Sequence, residues 1–354
     1  MIRSLTRRLL GSAAAAVDRV ATAAVSVHAS RRAQTPQKPH SDRLRALQRL
    51  EARVKSSELA DFCLEPVAVE PELRELKTLS SGSLVSDLSW VSPYSPADSE
   101  IAERYQSARE NSVAVARRFS RGQARPVVIL IHGYMAGPFA LEERVWPLAL
   151  FDRIGFDVVL FTLPFHGLRA RAGRGGVPEF PGEDPRIGVE GFRHALFDLR
   201  CLIAWLQLQG HARVGAAGMS LGGYTAALLA TVEPKLDFVV PIIPLSSLAD
   251  FAREQGSLSP LPEEAATQHA LLESIYRPVS PLARPSLLSP NRALVIAAKA
   301  DRITPAAHAR RLAVHLRAPL HSFYGGHLLQ LGRGEAFQRV AQLLSDMPPC
   351  PAGV

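Results

Sequence analysis

Ser220 stands in Gly218-Met219-Ser220-Leu221-Gly222-Gly223, between a short apolar run at 214–217 and a helical stretch opening at Gly222. Glycine on both sides of a serine at this spacing suits a sharp strand-to-helix turn. A side chain at 218 or 222 would crowd the crossing strand and helix, and the turn lifts the serine oxygen clear of the sheet. It also sets the N–H of Leu221 at a helix start, where the dipole favours negative charge. A serine hydroxyl is a weak nucleophile; it needs a base, and the base needs an orienting acid. Asp301 follows the apolar run 293–297 in Ala300-Asp301-Arg302-Ile303-Thr304-Pro305, and His327 follows a short final strand in Tyr324-Gly325-Gly326-His327-Leu328. The separations are 81 residues from Ser220 to Asp301 and 26 from there to His327. Such a set performs acyl transfer through a covalent intermediate. Thr304 reads as the cap of the next helix, with Pro305 at its first position.

Acyl transfer also needs preorganised donors for the oxyanion. The loop Ile131-His132-Gly133-Tyr134-Met135-Ala136-Gly137 follows the apolar run 127–131, at a strand end. His132 and His166 read as structural histidines, the first holding this loop. His308, His315 and His321 lack the spacing of a metal-ligand set and read as surface or capping residues. Arg169, Arg171 and Arg174, in a Gly-rich loop, read as a solvated basic cluster.

These elements follow a pattern. Continuous apolar runs at 127–131, 158–161, 214–217, 238–242 and 293–297 alternate with helical stretches at 142–153, 189–209, 222–232, 306–315 and 327–344. Alternation of this kind predicts parallel strands with crossover helices on both faces. Two earlier segments, 76–90 and 113–119, mix apolar and polar residues and predict an antiparallel edge. Ligands bind beyond the carboxyl ends of the strands in such sheets, so catalytic residues belong just after strands.

Four segments, the H-G loop, the serine turn, D-x-I-T-P and G-G-H, resemble the α/β-hydrolase superfamily over about residues 76–345. The order Ser220, Asp301, His327 is the superfamily's order. Leu163-Pro164-Phe165-His166-Gly167 is similar to its loop after the next strand, with Leu163 where an Asp is common. The resemblance implies an α/β-hydrolase fold: a mostly parallel sheet of about eight strands with helices on both faces and a small lid. It implies Ser220, His327 and Asp301 as a catalytic triad, and an oxyanion hole from the backbone N–H groups of Leu221 and Tyr134, with Met135 as the alternative donor. The expected activity is a carboxylic ester hydrolase using no cofactor and no metal. An acyltransferase or peptidase with the same triad, and a non-catalytic binding protein on the same fold, are the alternatives.

Charge separates the chain into two parts. The net charge is +8, yet residues 1–55 hold 12 Lys/Arg against 3 Asp/Glu, and the remainder 29 against 30. The globular part is near neutral, which argues against a nucleic-acid footprint. Residues 1–41 read as a basic, disordered arm and linker that could touch a membrane surface weakly. Residues 42–75 read as a helical extension on Leu44, Leu47, Leu50 and Val54, and 346–354 as a tail. Lid segments are expected at 164–188 and 246–290, with a helix at Glu263 to Tyr276. Rich in Leu, Pro and Phe, they favour a small-molecule acyl substrate without charge. Cys63, Cys201 and Cys350 form no disulfide framework, and no apolar run is long enough to span a membrane, so a cytoplasmic location is expected. Thr6-Arg7-Arg8-Leu9-Leu10 and the edge Val27-His28-Ala29 faintly resemble an export or organelle-targeting signal, although Asp18 and Arg19 interrupt its apolar region.

Overall fold

The structure, a computed structural model, describes residues 11–19, 40–55, 62–122, 125–172, 177–182 and 184–347. Its strands are β1 (Glu72–Thr78), β2 (Leu84–Val91), β3 (Val113–Ser120), β4 (Val127–Ile131), β5 (Asp157–Phe161), β6 (Val214–Met219), β7 (Val239–Ile242), β8 (Val295–Ala298) and β9 (Leu320–Phe323). They form one nine-stranded sheet in the order β1-β2-β3-β5-β4-β6-β7-β8-β9. The first three run antiparallel to their neighbours, and every pair from β5 to β9 is parallel. The ninth strand arises because the alternating segment 76–90 is a hairpin of two strands rather than one edge. β1 is exposed along its whole length and carries Glu72, Arg74, Glu75 and Lys77, charges that discourage another strand from adding there.

Helices are α1 (11–19), α2 (His40–Lys55), α3 (Ser99–Gln106), α4 (Phe139–Val145), α5 (Leu148–Arg153), α6 (Pro185–Leu208), α7 (Leu221–Leu229), α8 (Leu248–Glu254), α9 (Pro262–Tyr276), α10 (Ala306–Leu316) and α11 (Arg333–Asp346). They cover both faces of the sheet. Val127, Ile129 and Ile131 of β4 face the core shared with α6, α7, α9 and α10; Val128 and Leu130 face the core shared with α4, α5 and α11. Burial on both sides is why these strands read as continuous apolar runs.

Several boundaries differ from expectation. The helix expected over 142–153 divides at Trp146-Pro147, because proline lacks the N–H and its ring clashes one turn back. α6 starts at Pro185, with the Asp184 side chain accepting the N–H of Arg186. The last helix starts at Arg333, which leaves His327 in a loop. α2 docks through buried Leu47 against α9. Part of the arm expected to be disordered is α1, whose Ala14, Ala15 and Asp18 are buried. Small alanine side chains let this helix lie close to the loops beneath it. The rest of the arm, residues 1–10 and 20–39, and the end of the tail, 348–354, lie outside the described residues.

The basic cluster also differs. Arg169 is fully buried, and its Nη2 lies 2.8 Å from Asp198 Oδ2. It also donates to His194 Nε2 at 2.9 Å and to the carbonyls of Thr162 and Asn111. Ser92 Oγ donates to Asp198 Oδ1 at 2.5 Å. Burial alone would raise the Asp198 carboxyl; the His194 and Arg169 contacts outweigh it and hold it low. Arg171 pairs with Glu179, and Arg174 lies outside the described residues. Among the described residues, no helix is long and apolar enough to cross a membrane.

Candidate active site

Ser220 directly follows β6, Asp301 lies three residues beyond β8, His327 four beyond β9 and Tyr134 three beyond β4. These strands are parallel members of one sheet, so all four positions share its carboxyl edge.

The serine turn is tight in the way its glycines require. Ser220 has φ 54° and ψ −113°, a region that non-glycine residues rarely occupy and that costs about 1–3 kcal/mol. Its N–H donates to Ile242 O at 2.9 Å, which holds the turn to the end of β7. A Cβ on Gly218 would stand 2.0 Å from Gly222 O, and one on Gly222 would stand 2.1 Å from Ile131 O. Leu221 opens α7, so its N–H is among those that a helix start leaves without an intrahelical partner. Ser220 itself is half-buried.

His327 and Asp301 are both nearly buried and joined: His327 Nδ1 lies 2.8 Å from Asp301 Oδ2. Asp301 Oδ1 accepts the N–H groups of Ile303 at 2.9 Å and Thr304 at 2.7 Å. Thr304 does not cap α10 with its side chain; Pro305 is the N-cap residue, without a side-chain bond. The Thr304 hydroxyl instead lies 2.9 Å from Ile243 O, 3.0 Å from Asp301 Oδ2 and 3.0 Å from His327 Nδ1. With Nδ1 on the acid, Nε2 is the nitrogen left to serve a substrate. Among the described residues, no hydrogen bond joins Ser220 to His327. Such bonds are often long in free enzymes and tighten with substrate. Gln330 ties the histidine loop to the serine strand, donating to His327 O at 3.0 Å and reaching Met219 Sδ at 3.9 Å.

The H-G loop is fixed at both ends. His132 Nδ1 donates to Gly133 O at 2.7 Å, and its Nε2 accepts the N–H of Leu163 at 3.0 Å. That pattern needs the neutral ring, and burial drives the imidazole down to about 4. Leu163, where the superfamily resemblance expects an Asp, is buried and serves through its backbone. At the far end Glu142 accepts the N–H of Gly137 at 3.1 Å and of Trp146 Nε1 at 3.0 Å. A Cβ on Gly133 would lie 3.5 Å from Ser220 Cβ, so the loop rests against the serine turn. Tyr134 and Met135 are exposed at its crest, Met135 with φ 59°.

Other histidines have structural partners. His166 is buried, with Nδ1 2.8 Å from Pro164 O. His308, expected on the surface, is fully buried between Ser246 and Glu254; His315 Nε2 meets Arg284 O. Sequence reasoning missed two residues bonded to this region, Thr304, whose hydroxyl meets Asp301 and His327, and Asp18 of α1, whose carboxylate accepts the N–H groups of His327 and Leu328. An acid inside an otherwise Ala-rich helix was the available sign of the second.

Comparisons with known proteins agree with this architecture. Residues 173–288 match the X-Pro dipeptidyl-peptidase (S15 family). The chain is 31% identical over 236 residues to an uncharacterized protein of Mycobacterium tuberculosis, covering 64% of this chain and 55% of that protein. The chain thus spans about half the length of the curated relatives it matches. Acetyl xylan esterase 1 from Thermoanaerobacterium sp. JW/SL YS485 superposes with TM-score 0.54 at 17% identity, covering 84% of this chain and 93% of that one. The acetyl xylan esterase from Paenibacillus sp. R4 gives 0.52 at 16%, covering 87% and 95%. Strand order, serine turn and these likenesses together make the chain an α/β-hydrolase-fold protein.

Proposed function

We propose that the chain is a serine hydrolase that cleaves a carboxylic ester of a small, uncharged acyl substrate. The observation that carries this reading is the buried His327–Asp301 pair at 2.8 Å on the same sheet edge as Ser220 in its positive-φ turn. Ser220 Oγ attacks the carbonyl carbon while its proton passes to His327 Nε2. Asp301 holds the imidazolium through Nδ1. The oxyanion meets the N–H groups of Leu221 and Tyr134. His327 then gives the proton to the leaving alcohol, and water, activated by the same nitrogen, releases the acid.

Exposed apolar side chains on the two site loops, Tyr134 and Met135 on one and Leu328 and Leu329 on the other, support an apolar acyl group. The names of the similar proteins pair two bonds for comparison, an ester and an X-Pro peptide bond. Turnover of p-nitrophenyl esters from acetyl to palmitoyl, beside X-Pro anilides, tests the reading. Ester cleavage with the higher kcat/KM is expected. Anilide cleavage without ester cleavage would contradict it. A cytoplasmic location belongs to the same proposal; its support is that Cys63 and Cys201 are both free thiols.

A further inference from the structure

We propose that Asp18, on α1, is a positioning residue of this site, fastening the loop that carries His327 to the loop that carries Asp301. Its carboxylate is fully buried. Oδ2 accepts the N–H of His327 at 2.7 Å and of Arg302 at 3.2 Å, and Oδ1 accepts the N–H of Leu328 at 3.0 Å. One side chain therefore holds the backbone of the base itself and of the residue after the acid. A buried backbone donor left without an acceptor is costly.

The rest of α1 is shaped for the same contact. Gly11, Ala14 and Asp18 recur at the spacing of one helix face. A Cβ on Gly11 would lie 3.5 Å from Tyr324 O and 3.8 Å from Ala300 Cβ, so the helix start rests on both loops. On the other side, a Cβ on Gly326 would lie 2.7 Å from Asp18 Oδ2 and 3.1 Å from Ala14 O. Glycine beside the base thus admits the helix. Cleavage at the Val27-His28-Ala29 edge would remove Asp18, so the arm that resembles a targeting signal also carries the residue that positions the His327 loop.

This role rests on the triad reading above, and its test keeps the two apart. Wild type, Asp18→Ala, Asp18→Asn and Gly326→Ala are compared by fluorophosphonate labelling, separating the saturated rate from the half-saturating concentration. Hydrogen exchange of peptides covering 300–303 and 324–330 is followed in parallel. Asp18→Ala is expected to lower the saturated rate roughly 10- to 100-fold, the scale of a small misplacement of a catalytic group, with half-saturation unchanged. Asp18→Asn, keeping one acceptor oxygen, falls between; Gly326→Ala, whose methyl presses on Asp18 Oδ2 and Ala14 O and displaces the helix while leaving the carboxylate in place, resembles Asp18→Ala. Exchange rises in the two loop peptides and stays unchanged in the sheet. Wild-type labelling with an unaltered rate in Asp18→Ala overturns the positioning role alone. So does faster exchange throughout the sheet, which marks Asp18 as a general fold determinant. A folded wild type that does not label overturns the triad reading, and this role with it.

Discussion

His327 Nδ1 stands 2.8 Å from Asp301 Oδ2, and the same carboxylate accepts two backbone N–H groups of its own loop through Oδ1. Asp301 is therefore fixed by its own loop as well as by His327. Asp301→Asn keeps the shape but presents an amide to the ring, which favours the wrong tautomer. The expected loss in kcat is about three to four orders of magnitude with the fold intact, read from steady-state ester hydrolysis. A loss below tenfold would assign the acid's role elsewhere.

Gly222→Ala puts a methyl 2.1 Å from Ile131 O and 2.5 Å from His132 O. Both are backbone atoms of the strand end and H-G loop, so neither can swing aside. Destabilisation of about 3 kcal/mol is expected in urea unfolding, together with slower labelling. Gly334→Ala, with nothing within 4 Å, is the control; as a helical glycine it should be neutral or stabilise by up to about 1 kcal/mol.

Arg169 and Asp198 pair at 2.8 Å with neither side chain exposed. Removing one partner strands the other charge away from water. Asp198→Ala or Arg169→Ala should lower unfolding free energy by about 3–5 kcal/mol. Surface pairs such as Arg45–Asp42 should contribute under about 1 kcal/mol.

Acid should weaken the fold through His132. Burial holds its imidazole at about 4 against 6.5 ordinarily, so between these values the unfolded chain takes up a proton that the folded one refuses. The stabilisation is complete above pH 6.5 and is lost as pH falls toward 4, on the order of 3 kcal/mol. His166 and His194, also lowered by burial, act in the same direction. Urea midpoints from pH 7 to 4.5 should fall less steeply in His132→Asn than in wild type.

The strand-end placement of Ser220, Asp301 and His327 was legible in the sequence because each stands in a short segment just after an apolar run. Glycines at 218 and 222 have a steric reason that a short segment displays. Other features depend on distant partners. Arg169 looked like a solvated cation because its partner, Asp198, lies on a helix 29 residues later. Thr304 resembled a cap because Ser/Thr before proline commonly is one; its hydroxyl goes instead to Ile243, Asp301 and His327. Asp18 is separated from His327 by 309 residues, beyond the reach of any periodicity.

Everything proposed for this site requires Ser220 to be an activated nucleophile. Fluorophosphonate labelling followed by intact mass tests it directly. A single adduct is expected on wild type, mapped to the peptide containing Ser220, and none on Ser220→Ala folded to the same melting temperature. A folded wild type that stays unlabelled, or a Ser220→Ala variant that labels equally well, would contradict it.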